Sequence, residues 1–168
     1  MTLPFFLSMF VIEVFYELGG NMLFITGEYE CKLDAKGRLV LPSKLKGSLP
    51  ETSGSELFLV KGFEPCLLLY PLVEYRKIFS KIAGLNEFNV EFRRLQRNFF
   101  RGSTSVELDN AGRFLIPKIM LKYAGLDKEC VLVGMGNRME IWDPATYDKF
   151  LIKDPQELSD MAEKYLNE

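Results

Sequence analysis

Apolar and polar positions alternate over residues 27–33, with Tyr29, Cys31 and Leu33 on one side and Glu28, Glu30 and Lys32 on the other. A period of two predicts a half-buried strand. Asp34-Ala35-Lys36-Gly37 then interrupts the pattern. Glycine takes a positive φ without steric cost and the Asp34 carboxylate can accept turn N–H groups, so Asp-x-x-Gly predicts a hairpin connection, with 38–41 as the return strand. Pro42, with a fixed φ and no N–H to donate, suits the first position of a short helix continued by Ser43-Lys44-Leu45-Lys46. Two further apolar runs follow, 57–60 and 66–70.

The same grammar returns 75 positions later. Asp34-Ala35-Lys36-Gly37-Arg38-Leu39-Val40-Leu41-Pro42 is matched by Asp109-Asn110-Ala111-Gly112-Arg113-Phe114-Leu115-Ile116-Pro117, and Cys31 and Leu33 by Val106 and Leu108. Val60 and Val133, and Tyr70-Pro71 and Asp143-Pro144, match at an offset of 73. Pro117 predicts a second short helix with Ile119, Leu121 and Ala124 apolar and Gly125 at its end, before apolar runs at 131–133 and 139–142. The chain is thus a duplicated unit of β-hairpin, short helix and β-hairpin. One such unit exposes strand edges that need pairing, and two copies can complete each other. The predicted organisation is a leader (1–21), a first unit (28–75), a helical linker (76–103), a second unit (104–147) and an acidic tail (148–168).

In the linker, Phe88, Phe92, Leu95 and Phe99 form an apolar stripe at helical spacing, while Arg93, Arg97 and Arg101 recur every four residues on another face. The stripe reads as core or subunit interface. The arginine row is either a solvated face neutralised by neighbouring acids or a set of phosphate contacts.

Composition narrows the chemistry. At 168 residues and 48% hydrophobic content the chain can bury a real core. It contains no His, which removes the usual general base, the Ser-His and Cys-His nucleophile pairs and the commonest metal ligand. No phosphate-binding loop, nucleophile elbow or metal-ligand cluster is present, so neither catalysis nor a cofactor or metal is expected. Cys31, Cys66 and Cys130 lack C-x-x-C spacing and read as small buried thiols in a reducing compartment. The net charge of −2 conceals its distribution: residues 31–142 carry 18 basic against 12 acidic side chains, between acidic ends. A basic middle is compatible with a phosphate-backbone partner. Residues 2–16 are almost wholly apolar, but Glu13 interrupts them, they are shorter than a membrane helix needs, and no basic segment precedes them. With Met22 available as a start, 1–21 is expected to be an upstream extension and not a membrane anchor.

The candidate site is the repeated turn. Arg38 and Arg113 each follow a tight turn, from which a planar guanidinium can contact phosphate or bind guanine O6 and N7 bidentately in a major groove. Lys36 inside the first turn offers a further phosphate contact, where the second copy has Ala111. The alternative is structural: Asp34 to Arg38 and Asp109 to Arg113 close the hairpins as ion pairs. Both can hold at once, with the aspartate orienting an arginine that also touches DNA.

The doubled Asp-x-x-Gly-Arg-x-x-x-Pro, with Gly62 and Cys66-Leu67-Leu68-Leu69-Tyr70-Pro71 after the first copy and Glu140-Ile141-Trp142-Asp143 after the second, resembles the MraZ family of bacterial transcriptional regulators, from residue 22 to about 150. The resemblance implies a mainly β, α+β fold in which two tandem AbrB-type units form a swapped-hairpin barrel with linking helices. It further implies a homo-oligomeric ring and a cytoplasmic, nucleoid-associated repressor that binds double-stranded promoter DNA at short G-rich direct repeats upstream of its own gene and of the cell-division and cell-wall cluster, with no small-molecule substrate. Carried over by position, the motif residues are Asp34, Gly37 and Arg38, and Asp109, Gly112 and Arg113, with Arg38 expected as the principal contact; Lys36 and the orienting role of the aspartates come from the reading of the turns above. The competing reading is a non-catalytic, ring-forming scaffold that binds proteins.

Overall fold

The computed structural model describes residues 23–50 and 56–167; the leader reading for 1–21 lies outside them. The strands are β1 (Glu28–Lys32), β2 (Arg38–Val40), β3 (Glu56–Lys61), β4 (Leu67–Pro71), β5 (Ser103–Glu107), β6 (Arg113–Leu115), β7 (Glu129–Gly134) and β8 (Met139–Trp142). The helices are α1 (Ser43–Gly47), α2 (Leu72–Ala83), α3 (Val90–Arg101), α4 (Lys118–Tyr123), α5 (Pro144–Asp148) and α6 (Pro155–Leu166). The fold is α+β. Six strands form one antiparallel sheet in the order β1-β7-β8-β4-β3-β5, and β2 pairs with β6 in a separate two-stranded ribbon.

Each first hairpin is opened. The turn bonds survive, with Gly37 N–H donating to Asp34 O (3.0 Å) and Asp34 N–H to Arg38 O (3.0 Å), and Leu33 still bridges Leu39. Beyond that bridge β1 leaves for β7, and β2 leaves for β6. The second copy behaves alike, β5 pairing with β3 of the first. Unpaired edges drive the exchange, because an isolated two-stranded hairpin is marginal in water whereas the exchanged strands join a six-stranded sheet. The repeat is visible in the register: Leu57 faces Val106, and Cys130 faces Cys31, at equivalent positions of the two halves.

β4 is buried along its whole length. It needs no polar face because both sides of the sheet are covered. Leu57, Leu59, Leu67, Leu69, Leu132, Met139 and Ile141 face a core closed by Leu39 and Phe114 of the ribbon, Leu45 of α1 and Met120 of α4. Val60, Leu68, Tyr70 and Trp142 face a second core with Tyr75 and Ile82 of α2 and Phe99 of α3, where the Phe58 and Tyr75 rings stack at 4.0 Å.

Several local expectations shift. Pro42 and Pro117 are N-caps in extended conformation (ψ 135° and 144°), one residue before their helices. In α4 the buried residue is Met120, and Ile119 is exposed. Gly125 (φ +64°) ends α4, with its N–H on Lys122 O (3.3 Å) and the Leu126 N–H on Leu121 O (2.9 Å), the paired bonds of a Schellman motif. Phe88 precedes α3, whose N-cap is Asn89, and is 86% exposed; of the predicted stripe only Phe99 is core, while Phe92 and Leu95 face outward. Gln96 holds α3 to α2, its side-chain amide donating to Ile82 O and Leu85 O (3.0 and 3.2 Å).

Candidate nucleic-acid interface

Three residues per strand make up the ribbon, in the register Arg38 to Leu115, Leu39 to Phe114 and Val40 to Arg113. Alternation sends Leu39 and Phe114 into the core, each at most 1% exposed. Arg38, Val40, Arg113 and Leu115 therefore share the outer face. Arg38 and Arg113 sit diagonally across it, a relation that places residues roughly 7–8 Å apart in an antiparallel pair. The sequence singled out the two arginines. It did not reveal that they lie side by side, because that depends on a pairing between residues 75 positions apart.

Each arginine is held by its turn. One oxygen of Asp34 accepts the backbone N–H groups of Lys36 and Arg38 (both 2.9 Å), and the other accepts Arg38 Nε–H (2.6 Å). Asp109 repeats the set on Ala111 N, Arg113 N and Arg113 Nε (2.9, 2.9 and 2.8 Å). These donors, the Arg38 and Arg113 backbone N–H groups first, hold both carboxyls below their ordinary pKa of 3.8. The ion pair and an outward arginine thus coexist. Nε is occupied, while the terminal Nη groups of Arg38 and Arg113 have no partner among the described residues. Those groups form the fork that matches a phosphate or a guanine edge.

The glycines lock the turns to the opposite half. Gly37 (φ +80°) and Gly112 (φ +74°) take the left-handed region. Gly37 O accepts Ile116 N–H (3.0 Å) and Gly112 O accepts Leu41 N–H (2.9 Å), so each turn is bonded to the end of the other half's strand. They are not equivalent sterically. A Cβ on Gly37 would meet Leu121 Cδ1 at 3.1 Å, whereas one on Gly112 meets nothing within 4 Å. Lys36 is exposed within the first turn.

The trailing signatures are packing features. A Cβ on Gly62 would meet Cys66 Sγ at 2.7 Å, and Gly62 O accepts the Tyr123 hydroxyl (2.6 Å). Trp142 is buried with its indole N–H on Glu140 (2.7 Å). In α3, Arg93 donates to Glu87 O (2.9 Å) and Arg94 pairs with Glu91 (3.3 Å), so the arginine row is partly a neutralised surface; Arg97 and Arg101 have no partner among the described residues.

Fold and site together define a duplicated, hairpin-exchanged protein that presents two carboxylate-braced arginines on one ribbon. Two tandem segments, residues 24–98 and 99–166, match the family described as "MraZ protein, putative antitoxin-like". A transcriptional regulator MraZ of Cytophaga hutchinsonii is 54% identical over 145 residues, covering 86% of this chain and 96% of the relative. This chain belongs to the MraZ family, a family of transcriptional regulators and not of enzymes. No helix of the described residues is long and apolar enough to cross a membrane.

Proposed function

We propose that the chain is a sequence-specific DNA-binding repressor that inserts the β2–β6 ribbon into the major groove. The observation that carries this reading is the outward pair Arg38 and Arg113, braced through Nε with the Nη groups unpartnered among the described residues. A major groove admits a two-stranded ribbon. Arg38 and Arg113 make the specific contacts, Lys36 adds a phosphate contact in the first half only, and Gly37 and Gly112 let the backbone approach. Val40 and Leu115, exposed between the arginines, are placed for apolar contact with base edges such as the thymine methyl. By its likeness to the family, the operator is a set of short G-rich direct repeats upstream of its own gene and of the cell-division and cell-wall genes, and the protein acts on the nucleoid in the cytoplasm.

Reading of direct repeats calls for several ribbons on one body, which gain through effective concentration. The chain leaves surface for such an assembly. Phe88, Phe92 and Leu95 lie exposed on or beside α3, and none of the residues of α6 is buried although Leu158, Met161 and Tyr165 form an apolar stripe at i, i+3 and i+7. α3 carries four arginines against one glutamate, and α6 three carboxylates against one lysine. Opposite charge and matching stripes favour α6 of one copy on α3 of the next, a head-to-tail contact of the kind that closes rings.

Replacing Arg38 by Ala tests the contact: operator binding weakens by about 1–3 kcal/mol while the fold persists. Loss of thermal stability and assembly with equal strength would make the residue structural. Binding that ignores both sequence and salt would favour the protein-interaction scaffold, for which the exposed stripes are the supporting feature.

A further inference from the structure

Cys31 and Cys130 are cross-strand partners on the β1–β7 seam that joins the two halves. Backbone bonds from Gly134 N–H to Gly27 O and from Leu33 N–H to Lys128 O (2.8 Å each) fix the phase of the ladder. They make Cys31 and Cys130 a hydrogen-bonded pair, for which the Cα spacing is about 5.5 Å, within the range a disulfide spans. The two side chains lie on one face of the ladder, and the Cys31 Sγ–H donates to Tyr29 O (3.7 Å). Cys130 is 1% exposed and Cys31 is half-buried, both lining an open cavity of about 440 Å³ with Glu30, Lys32, Glu129 and Pro144.

Packing does not require sulfur here. The equivalent seam in the other half, β3 against β5, is built from Leu57 and Val106 at the matching positions. The pair is also unequally accessible: Cys31 is half-buried and reachable by a small oxidant, whereas Cys130 is 1% exposed. Cys66 offers a contrast: it is 2% exposed, and burial with the nearby Glu140 and Glu64 pushes its thiol up to about 12.

We propose that Cys31 and Cys130 are a hydroperoxide-oxidised dithiol that closes reversibly into a disulfide across β1 and β7. The Cys31 thiolate attacks the peroxide O–O bond, forming a sulfenic acid and releasing water or an alcohol. Cys130 then attacks the sulfenyl sulfur, expels water and forms the S–S bond, so that two thiols lose two electrons to one peroxide. Hydrogen-bonded pairs hold their Cβ atoms at the wide end of about 4.5–5.5 Å, so the strands must draw in by about 1 Å to reach disulfide geometry. Among the described residues β1 is an edge strand of the sheet, with one neighbour to resist that shift. The residual strain keeps the bond easily reduced, which suits a reversible modification.

The test treats the full chain with hydrogen peroxide, blocks remaining thiols with a maleimide after denaturation, and reads intact mass and peptides. Expected is loss of two hydrogens, one maleimide per chain, carried by Cys66, and three after dithiothreitol. Cys31→Val and Cys130→Leu borrow the residues of the other seam, so their folding is checked independently by circular dichroism. Cys31→Val should abolish the disulfide and leave Cys130 labelled; Cys130→Leu should leave Cys31 one oxygen heavier or trapped by dimedone. Three maleimides after peroxide, a disulfide between chains, or one that includes Cys66 would overturn the assignment.

Discussion

Asp34 and Asp109 each bind two backbone N–H groups and one guanidinium Nε–H, so a single carboxylate sets both the turn and the direction of its arginine. Their pKa values are lower in the folded chain than in the unfolded one. Such groups contribute stability that is present above the unfolded value and lost as pH falls through the folded value. The contribution of the two turns should therefore be constant from neutral pH down to about 5 and decline only once the pH passes below the unfolded value of about 3.9. Comparing urea unfolding of the chain and of Asp34→Asn across pH checks this: the difference between them should shrink below pH 4, and a difference that grows there would contradict it. The glycines give a second expectation. Gly112→Ala meets only the left-handed backbone penalty, about 1–2 kcal/mol, whereas Gly37→Ala also crowds Leu121 Cδ1 at 3.1 Å. Thermal unfolding should show both variants destabilised, by roughly 2–4 °C per kcal/mol, with Gly37→Ala the lower.

At the scale of elements, what could be read from sequence depended on the range of the interaction. The strand at 28–32, the positive φ at Gly37 and the end of α4 at Gly125 follow from residues within a few positions of one another. The ribbon does not: nothing near Arg38 says that its strand pairs with 113–115 in preference to the strand preceding it. Alternation was also silent at β4, where burial on both faces replaces the period of two. The linker stripe misled in part because Asn86 and Asn89 accept backbone N–H groups at Phe88, Glu91 and Phe92, starting α3 after Phe88 and leaving Phe99 alone to reach the core. The exposed remainder carries a prediction. Leu95→Asp on α3 and Leu158→Asp on α6 should each fail to assemble alone, and an equal mixture should form a heterodimer, since each variant keeps one intact face. Light scattering after size-exclusion chromatography reads the outcome. Unchanged assembly of both variants would reject the α3–α6 contact while leaving oligomerisation through another surface, and a monomeric parent chain would reject the ring itself.

For the whole molecule, duplication is what lets a modest charge serve the proposed DNA binding. Exchange of the first hairpins places one arginine from each half on a single ribbon, stapled by bonds that cross between halves, so the site exists only when both copies fold together. The unequal accessories, Lys36 in one turn and Ala111 in the other, give that ribbon a direction, which fits direct repeats better than palindromes. Whether this ribbon reads DNA is tested by fluorescence anisotropy of the protein on the proposed operator, the G-rich direct repeats upstream of its own gene, against a scrambled fragment, at two salt concentrations. Preferential binding to the repeats that falls steeply with salt, and is weakened in both Arg38→Ala and Arg113→Ala, is the predicted result; equal or absent binding to the two fragments would contradict it.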